Sequence, residues 1–426
     1  MGVNFLKVKK EWIYFHIFVF CMKIPFSPPF INESVIQEVV DSLSSGWITT
    51  GPKVSRLENR MANWLGVDKA LCVNSASAGM QLMLEWFGVG PGDEVIIPAY
   101  TYASTATAVL HCGAIPVMVD ADPNSFELSI NNVEKAIGPK TKAIIPVDIG
   151  GWPCNYDALF QLVNREDVQK LFTPQHPHQE KLGRILIMAD AAHSIGSKYK
   201  GRPVGTLADL TVISLHAVKN ITSAEGGVVL FHLPAPFQNE EEYRKNKIIS
   251  QNGHSKNVHE KALNDGWRYD IVALGKKINM TDLGAAIALA QLDQWEEMQA
   301  RRNEIFHQYA QALKSIKGIR LPQFADDLRQ GNGHLFMIQL VDASAEIRDQ
   351  LISEMKDLGI ALNVHFVSLP QFTYFQSIGV QPENYPHAVQ LSNSEVSLPI
   401  YPQLSDEQIQ FLLKSLIFVL SKLGIG

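Results

Sequence analysis

Seven short apolar runs, separated by segments of helical periodicity, constrain the fold of this chain more than any other feature. Continuous rather than alternating hydrophobicity is typical of strands buried on both faces. The pattern therefore predicts an α/β fold in which helices cover a largely parallel sheet, and ligands of such sheets bind beyond the carboxyl ends of the strands. The runs are ALCVN (70–74), EVIIP (94–98), AIPVMVD (114–120), KAIIPVD (142–148), RILIMAD (184–190), DLTVIS (209–214) and GGVVLF (226–231).

Sequence patterns before and after the strand region predict the first helix and a long later helix. Asn32 is placed to cap a helix that ends at Gly46, because a side-chain acceptor starts helices and glycine ends them. Residues 236–268 are polar and without periodicity, and we interpret them as excursions over the surface. A long helix is predicted from Thr281 or Asp282 through residue 313.

The last hundred residues predict a smaller α/β domain. Strands are expected at 334–341 and 360–366, and a final helix begins at Ser405, where Gln408 completes a capping box. A length of 426 residues suits two domains. We divide the chain into a large domain (22–280), and an interdomain helix with the small C-terminal domain (281–426).

The first 21 residues are interpreted separately. Three lysines precede an apolar run from Trp12 to Phe20, which superficially resembles a signal peptide. No small-residue cleavage site follows, however, and the run is too short to span a membrane. Residues 1–21 are therefore interpreted as a leader or a misassigned start, with no membrane segment, and the protein is predicted to be cytoplasmic.

Charge and cysteine content exclude several classes of function. A net charge of −6 provides no basic field for nucleic acid. The four cysteines form no C-x-x-C pair and show no metal-ligand spacing, which favours isolated reduced thiols and predicts no metal site.

Three polar residues follow the predicted strand ends in an order that suggests a cofactor. Asp190 ends the run at 184–190, Ser214 ends the run at 209–214, and Lys219 follows five residues later. Pyridoxal phosphate requires an amine for a Schiff base, a carboxylate for its pyridine nitrogen, donors for its phosphate and a flat group for its ring. Two of these residues also have an ordinary interpretation, since Asp190 could cap a helix and a loop lysine is usually solvated.

Taken together, the motifs resemble the DegT/StrS family of pyridoxal-phosphate-dependent nucleotide-sugar aminotransferases from Met22 to the C-terminus. The resemblance implies the α/β architecture of a fold-type I aminotransferase, with a mostly parallel seven-stranded sheet. The motifs are SGWITTGPKVSRLE (45–58), NSASAGMQL (74–82), PAYTYAST (98–105), ADAAHS (189–194), SLHAVKNITSAEGG (214–227) and GKKINMTDLGAAIALAQL (275–292).

The resemblance also implies roles for individual residues. Lys219 would hold the cofactor and move the proton, Asp190 would pair with the pyridine nitrogen, and Tyr102 would stack on the ring. His193 would lie near the ring hydroxyl. The remaining cofactor positions would be Ser75, Ala76, Ser77, Ser214, Lys277 and Asn279, and the substrate positions Trp47, Thr49 and His365. His365 could equally be an ordinary core histidine.

This sequence departs from the family pattern at two places. Many members carry Asn where Lys277 stands and Arg where Asn279 stands, so either residue could reach the phosphate in a neighbouring subunit. The segment FTPQHPHQEKLG (172–183) is a long insertion, which we interpret as a solvated loop without a metal.

The substrate is inferred from an absence and from the resemblance. No arginine follows Arg348, so the last part of the chain offers no bidentate clamp for a substrate carboxylate. This favours a neutral keto sugar carried on a nucleotide. The match of HAVKNIT with AEGG implies amination of a 4-keto-6-deoxy sugar by glutamate, for surface polysaccharide or lipopolysaccharide, in a homodimer with shared active sites. Alternatives are a 3-keto substrate, a non-catalytic binding protein for pyridoxal phosphate or a nucleotide sugar, and a structural partner in glycan assembly.

Overall fold

The computed structural model describes residues 22–123, 125–255 and 269–425, so the predicted leader lies outside the described residues. A seven-stranded sheet forms its centre, in the order β1-β9-β8-β5-β4-β2-β3. Its strands are β1 (Lys69–Val73), β2 (Glu94–Pro98), β3 (Ile115–Val119), β4 (Thr141–Ile144), β5 (Leu186–Asp190), β8 (Leu210–Ser214) and β9 (Gly227–Phe231).

The predicted, mostly parallel sheet is confirmed. Neighbouring strands from β3 through β8 pair in parallel, whereas β9 runs antiparallel to both β8 and β1. Each of the seven apolar runs contributes one strand, because burial on both faces leaves no polar alternation to interrupt it. The carboxyl ends of β5 and β8 are Asp190 and Ser214, so the two predicted residues lie at the same edge of the sheet.

Helices cover this sheet and build the rest of the molecule. The helices that precede β5 in the chain are α1 (Glu33–Ser45), α2 (Pro52–Leu65), α3 (Ala76–Trp86), α4 (Ala103–His111), α5 (Ile130–Ala136), α6 (Tyr156–Val163), α7 (Glu166–Leu171) and α8 (Pro177–Leu182). The later ones are α9 (Asn239–Ile249), α10 (Asp282–Asp293), α11 (Trp295–Leu313), α12 (Ala345–Asp357), α13 (Thr373–Ser377), α14 (Pro386–Ser394) and α15 (Asp406–Lys422). None of the helices in this described part is long and apolar enough to cross a membrane.

Two small antiparallel sheets complete the architecture. One pairs β10 (Ile319–Arg320), β12 (Phe336–Leu340) and β13 (Glu395–Leu398); the other pairs β11 (Arg329–Gln330), β6 (Lys198–Tyr199) and β7 (Arg202–Pro203). The described apolar side chains form two clusters, one around the large sheet and one around β12, α12 and α15. The domain boundaries at 22–280 and 281–426 stay a prediction.

Local capping signals predicted the ends of two helices correctly. The Asn32 side chain accepts from the Val35 amide, and α1 ends at Gly46 in the left-handed conformation. The predicted capping box of α15 is present between Ser405 and Gln408. Such contacts span only a few residues, so the sequence alone specifies them.

Three predictions about the second half of the chain were wrong. The segment 236–268 is not all surface excursion, because 239–249 forms α9; residues 256–268 lie outside the described part. The long helix is two helices, α10 and α11, which meet at the non-helical Gln294. Residues 360–366 form no strand but an extended segment with isolated bridges from Ile360 to Ile24 and from Asn363 to Ser397.

The insertion at 172–183 is packed rather than solvated, which corrects that interpretation. His176 caps the short helix α8, and His178 stacks on Trp86 with ring centroids 4.4 Å apart. The side chain of Gln179 donates to the Phe87 carbonyl at 3.0 Å. These contacts fasten the insertion to the end of α3, which is a structural function for its histidines.

Candidate active site

A cavity of about 530 Å³ opens at the carboxyl ends of the strands, where the sequence predicted a ligand site. The structure brings together most of the predicted residues there. Those lining the cavity are Ser75, Ala76, Ser77, Tyr102, Asp190, His193, Ser214, Lys219 and His365. Trp47, Thr49, Lys277 and Asn279 do not line it.

One end of the cavity is built to hold an anion. It is formed by the first turn of α3, where the Ser75 hydroxyl accepts from the Ala78 amide at 3.1 Å. The first amides of a helix have no acceptor within the helix, so those of Ala76 and Ser77 can serve a phosphate. A Cβ on Gly227 would lie 2.5 Å from the Ala76 nitrogen, so only glycine lets β9 approach this turn so closely.

Asp190 is a buried carboxylate held by two donors. Thr105 Oγ1 donates to Oδ2 at 2.8 Å and the Ala192 amide donates to Oδ1 at 3.3 Å. Burial raises the pKa of Asp190, while these two hydrogen bonds and the nearby Lys219 oppose that shift. The helix-cap interpretation does not apply, because no helix begins at this residue.

Lys219 lies in the turn after β8 and points into the cavity rather than to bulk solvent. Its amide donates to the His216 carbonyl at 2.9 Å, which closes the turn. Burial lowers the pKa of Lys219 to about 8, against the opposing effect of Asp190. A substantial fraction of the amine is therefore neutral near pH 8, as a nucleophile or base requires.

The proton of His193 can be placed from its hydrogen bond. The Gly150 amide donates to His193 Nδ1 at 3.2 Å, and since a backbone N–H can only donate, a neutral ring carries its hydrogen on Nε2. Burial lowers the pKa of His193 well below its ordinary value. The ring is thus a neutral hydrogen-bond donor at the cavity wall.

His334 lines the cavity although the sequence interpretation placed it only at the start of a strand. Its ring centroid lies 4.5 Å from that of His193, and its Nδ1 lies 2.8 Å from Asn220 Oδ1. Burial lowers its pKa well below the ordinary value. A lone histidine before an apolar run gives no sequence signal of such a position.

Aromatic side chains form the mouth of the cavity. Tyr102 is 61% exposed and its ring lies 5.7 Å from that of Phe366, so its face is open to a flat ligand. Phe366 stacks on His193 at 5.6 Å, and Phe26 stacks on His365 at 5.3 Å. Phe26 was not predicted either, because tertiary contacts such as the bridge between Ile24 and Ile360 bring its segment to the cavity.

The four predicted residues that do not line the cavity belong to two segments of the chain, which contact each other near Thr50 and Met280. Asn279 donates to Thr50 Oγ1 at 2.6 Å, and the carbonyl of Thr49 accepts from the Asp282 amide at 2.9 Å. Lys277 is exposed and Trp47 is partly buried. Asn279 bridges Val73, two residues before Ser75, so this group adjoins the anion-binding end of the cavity without lining it.

Comparisons with known proteins agree with this geometry. The chain matches the DegT/DnrJ/EryC1/StrS aminotransferase family over residues 29–173 and 178–416. It is 34% identical over 396 residues to the spore coat polysaccharide biosynthesis protein SpsC of Bacillus subtilis, which covers 92% of this chain and 96% of SpsC. The solved structure of Spr1654 from Streptococcus pneumoniae, assigned as a sugar aminotransferase, in its PLP form is 40% identical, with a TM-score of 0.90 over 94% of this chain and 100% of that one.

A lysine, a buried carboxylate and an anion-binding helix at one edge of a fold-type I sheet are the groups that a pyridoxal-phosphate-dependent enzyme requires, and the matched family makes this one an aminotransferase. The chain belongs to the DegT/DnrJ/EryC1/StrS aminotransferase family, and it is a sugar aminotransferase. The relative Spr1654 is also known in a PMP form, the state in which the cofactor carries the amine. The break in the family match at 174–177 falls within the packed insertion.

The residues present fit pyridoxal phosphate. Ser75, Ala76 and Ser77 would hold the phosphate with Ser214, while Asp190 would face the pyridine nitrogen and Lys219 the aldehyde carbon. When bound, the cofactor supplies an electron sink that takes up an amine in one half-reaction and gives it to a ketone in the other.

Proposed function

We propose that this protein transfers an amino group from glutamate to a nucleotide-linked 4-keto-6-deoxy sugar, giving a 4-amino sugar for surface polysaccharide or lipopolysaccharide. The choice of the 4-position comes from the resemblance of residues 214–227 to enzymes of that type. The likeness to SpsC, a spore coat polysaccharide biosynthesis protein, supports a role in surface glycans. We further propose that the protein acts in the cytoplasm, where nucleotide sugars are made.

The composition of the cavity wall carries the proposal of a neutral sugar. Among the residues that the structure describes, no arginine lines the cavity, and Lys219 is its one lysine. Away from Asp190 and Lys219, the polar lining includes His193, His334 and His365, with Glu225 as a further carboxylate. Neutral donors and acceptors of this kind suit sugar hydroxyls, whereas a dicarboxylate held tightly would call for a guanidinium fork.

The roles of the side chains follow from their environments. Lys219 Nζ, with its pKa lowered to about 8, removes the proton from the substrate carbon that carries the amine and returns a proton in the reverse direction. Asp190 keeps a negative charge opposite the pyridine nitrogen, held in place by Thr105. Tyr102, whose exposed ring stands at the cavity mouth, would stack on the pyridine ring.

A homodimer with shared active sites is part of this proposal. Helix α1 exposes Ile36, Val40 and Leu43, and the segment near Asn279 exposes Leu274 almost completely. Exposed apolar side chains at this density are typical of a surface that another chain covers. In such a dimer, Lys277 or Asn279 of one subunit would approach the cofactor phosphate of the other, and Trp47 and Thr49 the substrate.

The test offers the purified protein glutamate and two nucleotide sugars that differ only in the position of the ketone. The proposal predicts an amino sugar from the 4-keto compound, detected by mass spectrometry, and little from the 3-keto compound. Preference for the 3-keto sugar would replace the substrate assignment by its nearest alternative. Failure with both sugars, together with a Lys219→Ala variant that complements a deletion strain, would favour a non-catalytic binding or structural role.

A further inference from the structure

The main chain of His365 is hydrogen-bonded on both sides of its Cα atom. Its amide donates to Glu395 Oε2 at 2.7 Å, and its carbonyl accepts from the Tyr100 hydroxyl at 2.5 Å. Phe26 covers one face of the ring. The two hydrogen bonds hold the main chain of His365, while Phe26 and Ser397 contact its ring at the cavity wall.

The ring nitrogens of His365 have different surroundings. Nδ1 lies 2.9 Å from Ser397 Oγ, whereas Nε2 makes no hydrogen bond to any residue within 22–123, 125–255 or 269–425. Because His365 lines the cavity, Nε2 is the atom that it can offer to a substrate.

Ser397 connects His365 to a buried carboxyl group. Its Oγ lies 2.5 Å from Glu395 Oε1, and a hydroxyl has only one hydrogen to donate. If Ser397 donates to an ionised Glu395, it must accept from His365 Nδ1–H, so Nε2 carries a lone pair. If Glu395 is protonated and donates to Ser397, the hydroxyl turns to Nδ1, and Nε2 carries the hydrogen.

Few charged or titratable groups face Glu395. Arg348 approaches from α12, where it donates to the Ser392 carbonyl and pairs with Asp349. Tyr100 faces it from the loop after β2, and the neutral Gln339 lies opposite on β12. Burial raises the pKa of Glu395 to about 8, with Ser397, the His365 amide and Arg348 opposing the shift, so both forms are accessible near neutral pH.

The His365 ring itself stays neutral. Burial lowers its pKa to about 3, and the charge of Lys219 adds to this effect. A neutral imidazole holds one hydrogen on one of its two nitrogens, so the ring must adopt one tautomer or the other.

We propose that Glu395 is a positioning residue which, through Ser397, determines whether Nε2 of His365 presents a hydrogen or a lone pair to the sugar. The part that concerns the sugar rests on the proposed function. Protonated Glu395 makes Nε2 a donor, and ionised Glu395 makes it an acceptor. The same enzyme thereby binds its sugar differently on the two sides of the Glu395 titration, while the donor half-reaction does not change through this route.

The Glu395→Gln variant fixes the direction of the hydrogen bonds that run from residue 395 through Ser397 to His365. The His365 amide must keep an acceptor, which only the amide oxygen of glutamine can supply, so the glutamine NH₂ group faces Ser397. Ser397 then accepts from glutamine and donates to Nδ1, which holds the hydrogen of His365 on Nε2 at every pH. Ser397→Ala removes the connection altogether.

The test reads the tautomer of His365 directly in the holoenzyme. Protein labelled with ¹⁵N-histidine is followed by long-range ¹H–¹⁵N NMR from pH 6 to 9, and the His365 signals are assigned by their loss in His365→Asn. We expect the hydrogen on Nε2 at low pH and on Nδ1 at high pH in the wild type, and on Nε2 throughout in Glu395→Gln. Glu354→Gln, which changes a partly buried carboxylate paired with Lys422 on the surface of α12, is the matched control and should titrate like the wild type. Unchanged tautomers in Glu395→Gln and Ser397→Ala would overturn the proposal.

Kinetic measurements on the two half-reactions test whether the His365 tautomer affects sugar binding. Ser397→Ala should raise the KM for the keto sugar about tenfold, the effect of one lost or misdirected hydrogen bond, and leave the glutamate half-reaction within about twofold. Equal losses in both half-reactions would indicate a general structural defect and contradict the positioning role. The NMR result needs no sugar, so failure to find an aminated sugar would refute the proposed function without deciding this inference. Thermal melting of each variant verifies that it folds.

Discussion

The two walls of the cavity are built in different ways. The cofactor wall carries Asp190, Ser214 and Lys219, which follow one another closely along the chain at the ends of neighbouring strands. A second wall carries Phe26 from the start of the described chain, and His334 and His365 from its C-terminal part. We propose that the first wall supplies the chemistry that every transamination requires, and that the second supplies groups that a particular sugar would contact.

This difference explains why the class of enzyme is easier to infer than its substrate. A cofactor wall made of consecutive strand ends forms short motifs, each tied to a fixed chemical requirement. A substrate wall assembled by tertiary folding has no local spacing, and its histidines gain their meaning only from the partners of their ring nitrogens. Variants on the two walls should therefore fail in different half-reactions.

The largest effect is expected at Asp190. Asp190→Asn removes the charge opposite the pyridine nitrogen and should slow both half-reactions on the order of a hundredfold or more. Stopped-flow absorbance with glutamate, and separately with the keto sugar, measures each one. Asp167→Asn, at an exposed carboxylate, serves as the control. A loss confined to the sugar half-reaction would indicate that Asp190 acts on the sugar and not on the cofactor.

A smaller and one-sided effect is expected at His334. His334→Ala removes a polar group beside His193 and should raise the KM for the sugar roughly tenfold, with little change in the reaction with glutamate. Steady-state kinetics with each substrate varied in turn provides the measurement. The exposed His111→Ala should change neither constant. A defect in glutamate turnover equal to that in sugar binding would remove the distinction between the walls.

The pH dependence of cofactor uptake sharpens the account of the first wall. Burial lowers the Lys219 pKa from 10.5 to about 8, so the neutral amine should increase through pH 8 as protons are lost. The rate at which apoprotein takes up pyridoxal phosphate, followed by absorbance, should rise and level off by about pH 9. A rate that still climbs beyond pH 10 would show that Lys219 is an ordinary solvated lysine.

The smallest effect is expected at Lys277 and Asn279, which do not line the cavity. Lys277→Ala or Asn279→Ala should weaken cofactor binding several-fold if a partner subunit brings these residues to the phosphate. Fluorescence titration of apoprotein with pyridoxal phosphate measures the affinity. Lys276→Ala is the matched control, because Lys276 pairs with Glu85 of its own chain. Unchanged affinity in both variants would argue against a shared site.

Much of the fold could be predicted from the sequence, because buried strands and helix caps are encoded locally. The seven strands, both ends of α1 and the start of α15 followed from such patterns. The break at Gln294 and the loss of the expected strand at 360–366 could not, since both depend on packing between distant segments. For the same reason the insertion was interpreted as solvated, although Trp86 provides a stacking partner for His178.

The site divides in the same way. Lys219 and Asp190 were predicted from motifs, and the structure places them in one cavity. His334 and Phe26 were missed, because neither belongs to a recognisable pattern. Glu395 was missed because a carboxylate within a strand gives no sign that it supports a histidine thirty residues away.

The most direct test of the central claim is the visible absorption spectrum of the purified protein before and after glutamate is added. A pyridoxal phosphate enzyme with its cofactor on Lys219 should be yellow, should lose that colour with glutamate, and should lack this response in Lys219→Ala. A colourless protein that takes up no added pyridoxal phosphate would contradict the account, and so would an identical response in the wild type and Lys219→Ala.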